Sequence, residues 1–296
     1  MSVYTQAVIA GVILGFIARA YMLRSDYRQY PGYPHGVVSH LSLGLVAAFL
    51  GALITPALAA KEYTAVTFLT LAAQQFRDVR NMERESLLKL DQEELVPRGN
   101  DYIEGIARVF EARNYLVMIT SLVASGVTYW FGWVWGLIGA AAVFLLTGIL
   151  MKGEMVGDIA EVLPARVSFE GASLKIEDVV VMNVGLPAAR EKILKDALGL
   201  RIVPKNANAR ATLHDLGQRQ AILNVASVLL GTQVETGEQE WTPLARKEVD
   251  SGEIVIFMIP QEKDQEALIK AVKLTPVLES AKRRPLKTGA GRMAAD

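Results

Sequence analysis

Apolar positions fall in long unbroken blocks over the first half of the chain and in short alternating or periodic runs over the second. The first block runs from Val3 to Leu23; its strongly polar members are Gln6 and, near its end, Arg19. A run of about 20 apolar residues spans a hydrocarbon core of roughly 30 Å. No basic segment precedes this block and no small-residue cleavage site follows it, so it reads as an uncleaved span. Arg19 is expected to snorkel to the headgroups. A polar loop, Arg24 to His40, carries Pro31-Gly32-Tyr33-Pro34, which breaks any helix. Leu41 to Ala60 is a second, uncharged block, interrupted at Lys61-Glu62. Tyr63 to Phe76 is a third, short for a crossing; it reads as a tilted helix in thinned bilayer or as a re-entrant piece. Leu116 to Met151 holds no charge and is too long for one crossing. The aromatic stretch Tyr129 to Gly136 sits near its middle, so two helices are expected, joined by a turn at Gly132 with the aromatics at the interface. Gly136, Gly139, Ala140, Ala141 and Ala142 suit close helix packing.

Between the third and fourth blocks the pattern turns polar and periodic. Arg77 to Leu95 reads as a solvated helix, with Val79, Met82, Leu87 and Leu90 at helical spacing. Leu95-Val96-Pro97-Arg98-Gly99-Asn100 breaks it. Asp101 followed by Glu104 resembles a capping box, and Ile103, Ile106, Ala107 and Phe110 then share one face. An amphipathic helix at the cytoplasmic membrane surface is predicted there. Arg24 and Arg28 follow the first span; Arg77, Arg80, Arg84, Lys89, Arg98, Arg108 and Arg113 lie between the third and fourth. The positive-inside rule puts both segments in the cytoplasm, which requires about five crossings with the N-terminus outside.

After Met151 the spacing changes. Glu170-Gly171, flanked by Val167–Phe169 and Ser173–Ile176, signals a hairpin. Val179 to Val184 is β-rich. Pro187 to Leu198 reads as a helix closed by Gly199. Arg201 to Val203 is a short strand, and Ala211 to Leu230 a long helix ending at Gly231. Gly237 to Ser251 reads as polar loop, Glu253 to Ile259 as a strand, and Gln261 to Arg284 as a final helix, broken at Pro276. The order ββ(β)αβαβα predicts a small α/β sandwich.

Composition supports this division. Of 296 residues 51% are hydrophobic, and mean hydropathy is +0.26, which suits one membrane half and one soluble half. The expected fold is a membrane α-helical bundle of about five spans followed by a small cytoplasmic α/β domain. Residues 1–155 form the transmembrane domain, with cytoplasmic amphipathic helices at 77–115. Residues 160–284 form the soluble domain, and 285–296 a disordered tail. The expected location is a membrane crossed several times, with the C-terminal domain cytoplasmic. Lys plus Arg and Asp plus Glu are both 31, which argues for no nucleic-acid partner. With no cysteines, disulfides and thiolate chemistry are excluded. No phosphate-binding, dinucleotide or zinc-protease motif occurs. His35, His40 and His214 read as polar surface or interfacial histidines, so no metal and no cofactor is implied.

One pair of side chains carries a chemical lead. Asp78 follows the third apolar block. Asp158 follows the last, within Gly153-Glu154-Met155-Val156-Gly157-Asp158, and the topology puts both at the cytoplasmic membrane surface. Two carboxylates can share a proton and activate water. The layout is similar to that of intramembrane aspartyl proteases, although their G-x-G-D is not spelled. The plainer reading has Asp78 paired with Arg77 or Arg80 and Asp158 capping a helix.

Tyr102-Ile103-Glu104-Gly105-Ile106-Ala107 spells the signature of the YIEGIA family, membrane proteins of endospore-forming bacteria. Arg77-Asp78-Val79-Arg80-Asn81-Met82-Glu83 and the Pro97-Arg98-Gly99 turn resemble the same family's core. The resemblance covers most of the chain, is strongest over residues 75–120, and implies a role in sporulation. Partners would be the lipid bilayer and a protein substrate or regulator; a homo-oligomer is compatible. Three functions are open: a membrane protease acting on a regulatory protein, a non-enzymatic scaffold whose α/β domain binds a partner, and a transporter or channel. Few charges within the spans argue against the last.

Overall fold

The computed structural model describes residues 2–26, 34–150, 153–232, 234–235, 238–239 and 241–293. The chain divides into two compact units, residues 1–85 with 106–153 and residues 86–105 with 154–296.

The first unit is helical. It contains α1 (Val3–Asp26), α2 (Pro34–Ala59), α3 (Tyr63–Gln74), α4 (Phe76–Asp91), which runs on into the second unit, the later part of α5 (Asn100–Phe131) and α6 (Trp133–Leu150). Among the described residues two of these, over Val3–Arg24 and Gly36–Ala59, are long and apolar enough to cross a membrane. That is fewer than the five crossings expected. At about 1.5 Å per residue, α3 reaches only about 18 Å. The polar loop is also shorter than its composition suggested: α2 begins at Pro34, where a proline at the first helical position loses no hydrogen bond. The rest of the Pro31–Pro34 breaker lies outside the described residues. Lys61 adopts φ 59° and turns the chain between α2 and α3. The expected turn between the last two helices is present, with Gly132 at φ 87°. Trp130, Phe131, Trp133 and Trp135 around it are all exposed.

The helices meet through small and polar side chains. Ser121 Oγ of α5 donates to Gly11 O of α1 (2.5 Å), and Ser125 Oγ donates to Ala52 O of α2 (2.7 Å). The second bond has a covalent cause. Pro56 stands inside α2 and has no N–H, so the carbonyl four residues earlier lacks its helical donor; that carbonyl is Ala52 O. Ser125 supplies the missing hydrogen bond, and α5 is pinned to α2 as a result.

The second unit is a three-layer α/β structure. After a single turn, α7 (Val156–Ile159), come β1 (Ala160–Ala165), β2 (Val167–Glu170), β3 (Ser173–Ile176) and β4 (Val179–Asn183), then α8 (Pro187–Asp196) and β5 (Leu198–Pro204). Helices α9 (Ala207–Leu213) and α10 (Leu216–Leu230) follow, then a small hairpin of β6 (Val234–Glu235) and β7 (Glu238–Gln239). Then come β8 (Leu244–Lys247), β9 (Ile254–Met258) and α11 (Gln265–Lys273), followed by a 3-10 turn and the short helix α12 (Gly289–Met293). The main sheet is antiparallel in the order β1-β5-β9-β8, and β2-β3-β4 form a separate meander. In register, Leu198 opposes Met258, Leu200 opposes Ile256, and Ile202 opposes both Ile254 and Val162. These side chains share one face because strand side chains alternate, and with α10 and α11 they form the larger core. Val255 and Phe257 point to the other face and pack with Leu174, Ile176, Val181 and Ile193. Both faces of β9 are therefore covered, which explains its unbroken apolar run.

Several expected elements change. Gly199 does not close a helix; it lies inside β5, where a Cβ would stand 2.7 Å from Ala165 O. The long helix expected over Ala211–Leu230 is two helices, because Asp215 caps α10 by accepting from Gln218 N. The final helix stops at Lys273. Strand β8 falls in the stretch read as loop, and β1 was not foreseen. The tail expected to be disordered starts as an ordered 3-10 turn, Pro285–Lys287, with Leu286 N donating to Asn208 Oδ1 (3.0 Å). Residues 294–296 of that tail lie outside the described residues.

Candidate functional site

The densest polar constellation lies in the helical unit. Arg19 and Asp26 are two turns apart on α1 and so share a face. Arg19 Nη1 donates to Asp26 Oδ2 at 2.8 Å, and Arg113 Nε of α5 donates to Asp26 Oδ1 at 3.1 Å. Arg19 Nη2 lies 2.9 Å from His40 Nδ1. A guanidinium can only donate, so Nδ1 accepts, and the neutral ring then carries its proton on Nε2. Nε2 faces Glu83 Oε1 at 3.9 Å, and the ring packs on Phe110, with centroids 4.6 Å apart. The constellation thus joins α1, α2, α4 and α5.

Arg19 is fully buried, and Asp26, His40 and Arg113 are each no more than 8% exposed. The snorkelling expected of Arg19 and the surface placement expected of His40 are both overturned. Arg19 turns inward because Asp26 on the same helix supplies its counter-charge and His40 of α2 accepts a further hydrogen bond. Gly44 makes the space: a Cβ there would stand 2.4 Å from Arg19 Cγ. The arginine stem occupies the volume that a side chain would fill. The seven-residue spacing of Arg19 and Asp26 was the available signal in the sequence. The contributions of His40, Glu83 and Arg113 are non-local and left none.

Burial raises the pKa of Glu83 above the ordinary carboxylate range. In the window between its unfolded and folded values the folded state holds the extra proton. Stability from this group is complete below the unfolded value and falls as pH rises through the folded one. Glu83→Gln is expected to remove that slope and raise the thermal midpoint at neutral pH. A pH series of melts on both proteins checks it; parallel curves would refute it.

Asp78 is exposed in the first turn of α4 and its side chain has no partner among the described residues. Asp158 is exposed too, and its Oδ2 accepts from Met155 N at 2.8 Å, which is the helix-capping role. Asp78 belongs to the first compact unit and Asp158 to the second. His214 Nε2 lies 3.0 Å from Gly252 O, between a helix end and a loop. The side chain of His35 lies outside the described residues. Among the described residues no three His, Asp or Glu side chains are grouped to hold a metal ion.

The segment before and into α5 is built around backbone hydrogen bonds. Asp91 accepts from Arg98 N (2.7 Å) and Gly99 N (3.2 Å), which folds the Pro97 turn back on α4. Asn224 Nδ2 of α10 donates to Val96 O, and Gln220 Oε1 accepts from Tyr102 N, both at 3.0 Å. Gln220 thus takes one of the N–H groups that a helix start leaves unpaired. Tyr102, Ile103, Ile106, Ala107 and Phe110 are all buried. The predicted apolar face of this helix is real, but protein covers it. A Cβ at Gly105 would stand 2.5 Å from Ser280 Oγ, so glycine here permits a close approach, and Glu104 beside it is half-buried. Tyr102 to Gly105 is therefore packed into the second unit, and the division between units falls after Gly105. The YIEGIA family's sequence model matches residues 7–288.

The chain belongs to the YIEGIA family. It is 48% identical over 286 residues to the uncharacterized protein YphB of Bacillus subtilis (strain 168), covering 96% of each chain. No solved structure matches it. The match extends through both units, so the helical and α/β parts are both inside the family's boundaries.

Proposed function

We propose that this YIEGIA family member is a multi-pass membrane protein of sporulating cells whose α/β unit binds a regulatory protein on the cytoplasmic side. The observation that carries the membrane part is the inverted make-up of the helical unit. Its interior holds Ala7, Ala47, Ala48, Ala52, Ser121, Ser125, Thr128, Arg19 and Arg113, whereas Ile9, Ile13, Ile17, Phe49, Leu53 and Phe68 are exposed. Apolar surface of that extent on a helical unit matches hydrocarbon as solvent. The distribution of lysine and arginine supports five crossings with the α/β unit in the cytoplasm.

Binding without cleavage is the favoured form of the reading, because the Asp158 carboxylate is committed to a cap. Proteolysis through Asp78 and Asp158 is the second form. It is favoured by the Asp78 carboxylate, which has no partner among the described residues, and by the position of each acid past the end of an apolar helix.

Cross-linking the full chain in sporulating cells and following the half-life of the captured protein separates the two. An unchanged half-life in Asp78→Ala and Asp158→Ala, with capture retained, is the expected result. A lengthened half-life in both would establish proteolysis. No protein captured by the intact chain would refute both forms.

A further inference from the structure

We infer that the α/β unit carries a binding site for a phosphoryl group, in the pocket between α9 and the C-terminal segment. This site is independent of the protein partner proposed above. The pocket has a volume of about 280 Å³ and is lined in part by Glu154, Asn206, Asn208, Lys282, Arg284 and Lys287. That is just below the roughly 300–1,000 Å³ of sites for drug-sized ligands, so it suits a phosphate or a short phosphate ester.

The argument rests on which hydrogen-bonding groups the fold has already used. Asn206 Oδ1 accepts from Ala209 N, and Asn208 Oδ1 accepts from Leu286 N. Because both partners are backbone donors, each amide is oriented with oxygen inward, which leaves its Nδ2 as a spare donor. The Thr212 hydroxyl is also spent: it donates to Asn208 O and accepts from Arg283 N. Glu154 is neutralised by Lys282 at 2.9 Å, and Arg283 is turned away toward Asp215 and Ser280 O. Most of the acceptors lining the pocket are thus engaged within the fold, with Glu154 held by Lys282 through one carboxylate oxygen. Donors are in excess: two carboxamide NH₂ groups and the exposed Arg284 and Lys287, whose side chains have no partner among the described residues.

Such a surplus of donors and positive charge complements a tetrahedral oxyanion, with the guanidinium able to bind two oxygens at once. The Leu286 and Arg283 backbone bonds to α9 hold the two free cations on one short turn. The cations are therefore placed by the fold and are not carried on a loose tail.

The test uses the full chain in dodecyl maltoside micelles, which contain no phosphate. Inorganic phosphate, titrated calorimetrically, is expected to bind saturably. Arg284→Gln with Lys287→Gln is expected to weaken binding by about tenfold or more. Both side chains are exposed, so the thermal midpoint without phosphate should not change. Lys195→Gln with Lys270→Gln, exposed cations outside the pocket, should bind phosphate as the native chain does.

Phosphatidylglycerol added as mixed micelles identifies the source of the phosphoryl group. Competition with inorganic phosphate marks a lipid headgroup as the occupant; no competition marks a soluble phosphate. Absence of saturable binding, or equal loss in both double variants, would overturn the assignment.

Discussion

Asp26→Ala is expected to lower the stability of the helical unit by about 3–5 kcal/mol, the usual cost of removing one partner from a buried ion pair. Asp26 holds two guanidiniums, those of Arg19 at 2.8 Å and Arg113 at 3.1 Å. Its loss leaves both charges in a protein interior where Arg19 is fully shielded from solvent. Neither arginine can neutralise itself by releasing a proton. The measurement is denaturant or thermal unfolding of the full chain in detergent, followed by helical signal.

The compensated variant Arg19→Met with Asp26→Leu and Arg113→Met sharpens the test. It removes the charges together and is expected to regain most of the loss, because apolar replacement of a buried ion triad is often neutral or stabilising. If Asp26→Ala melts within about 1 kcal/mol of the native chain, as surface pairs do, the constellation is open to water and this account of it fails.

Phe257→Ala is expected to cost the α/β unit about 3–5 kcal/mol, the range for deleting a fully buried aromatic ring. Phe257 lies on the central strand β9, opposite Gly199 on one side and Leu244 on the other. Its ring fills the second core with Leu174, Ile176 and Ile193, all fully buried. Gly199 offers no side chain to close over the gap, so the cavity cannot collapse from that neighbour. Hydrogen exchange of the β5 and β9 amides reads the effect locally. Their protection should fall while that of α1 and α2 holds. Native-level protection in the variant would show that the Phe257 ring does not hold the second core together as described.

Much of the architecture follows from the order of residues alone. The apolar blocks specify where helices of the first unit lie, because a continuous run can satisfy its backbone only within itself in an apolar setting. Gly132 and Gly171 mark turns at positive φ, and glycine is the residue that adopts this without strain. The unbroken apolar run of β9 and the signature Tyr102 to Ala107 were equally legible, the latter as a family membership.

Other features were decided only when distant parts of the chain met. Arg19 reads as a snorkelling residue until Asp26 and His40 meet it, since a charge goes inward only where a counter-charge and hydrogen-bond acceptors wait. Strand β8 carries a half-exposed, charged sequence, and its pairing with β9 makes it a strand. Asp215 splits a continuous helical pattern because its side chain caps α10 better than the backbone could continue. The two spare cations of the C-terminal segment were visible as charges, but only their tethering to α9 gives them a pocket. Periodicity and composition fix local conformation because they act through neighbours in sequence. Burial of charge, strand pairing and the sharing of hydrogen-bond donors depend on contacts between residues far apart, and those exist only in the folded chain.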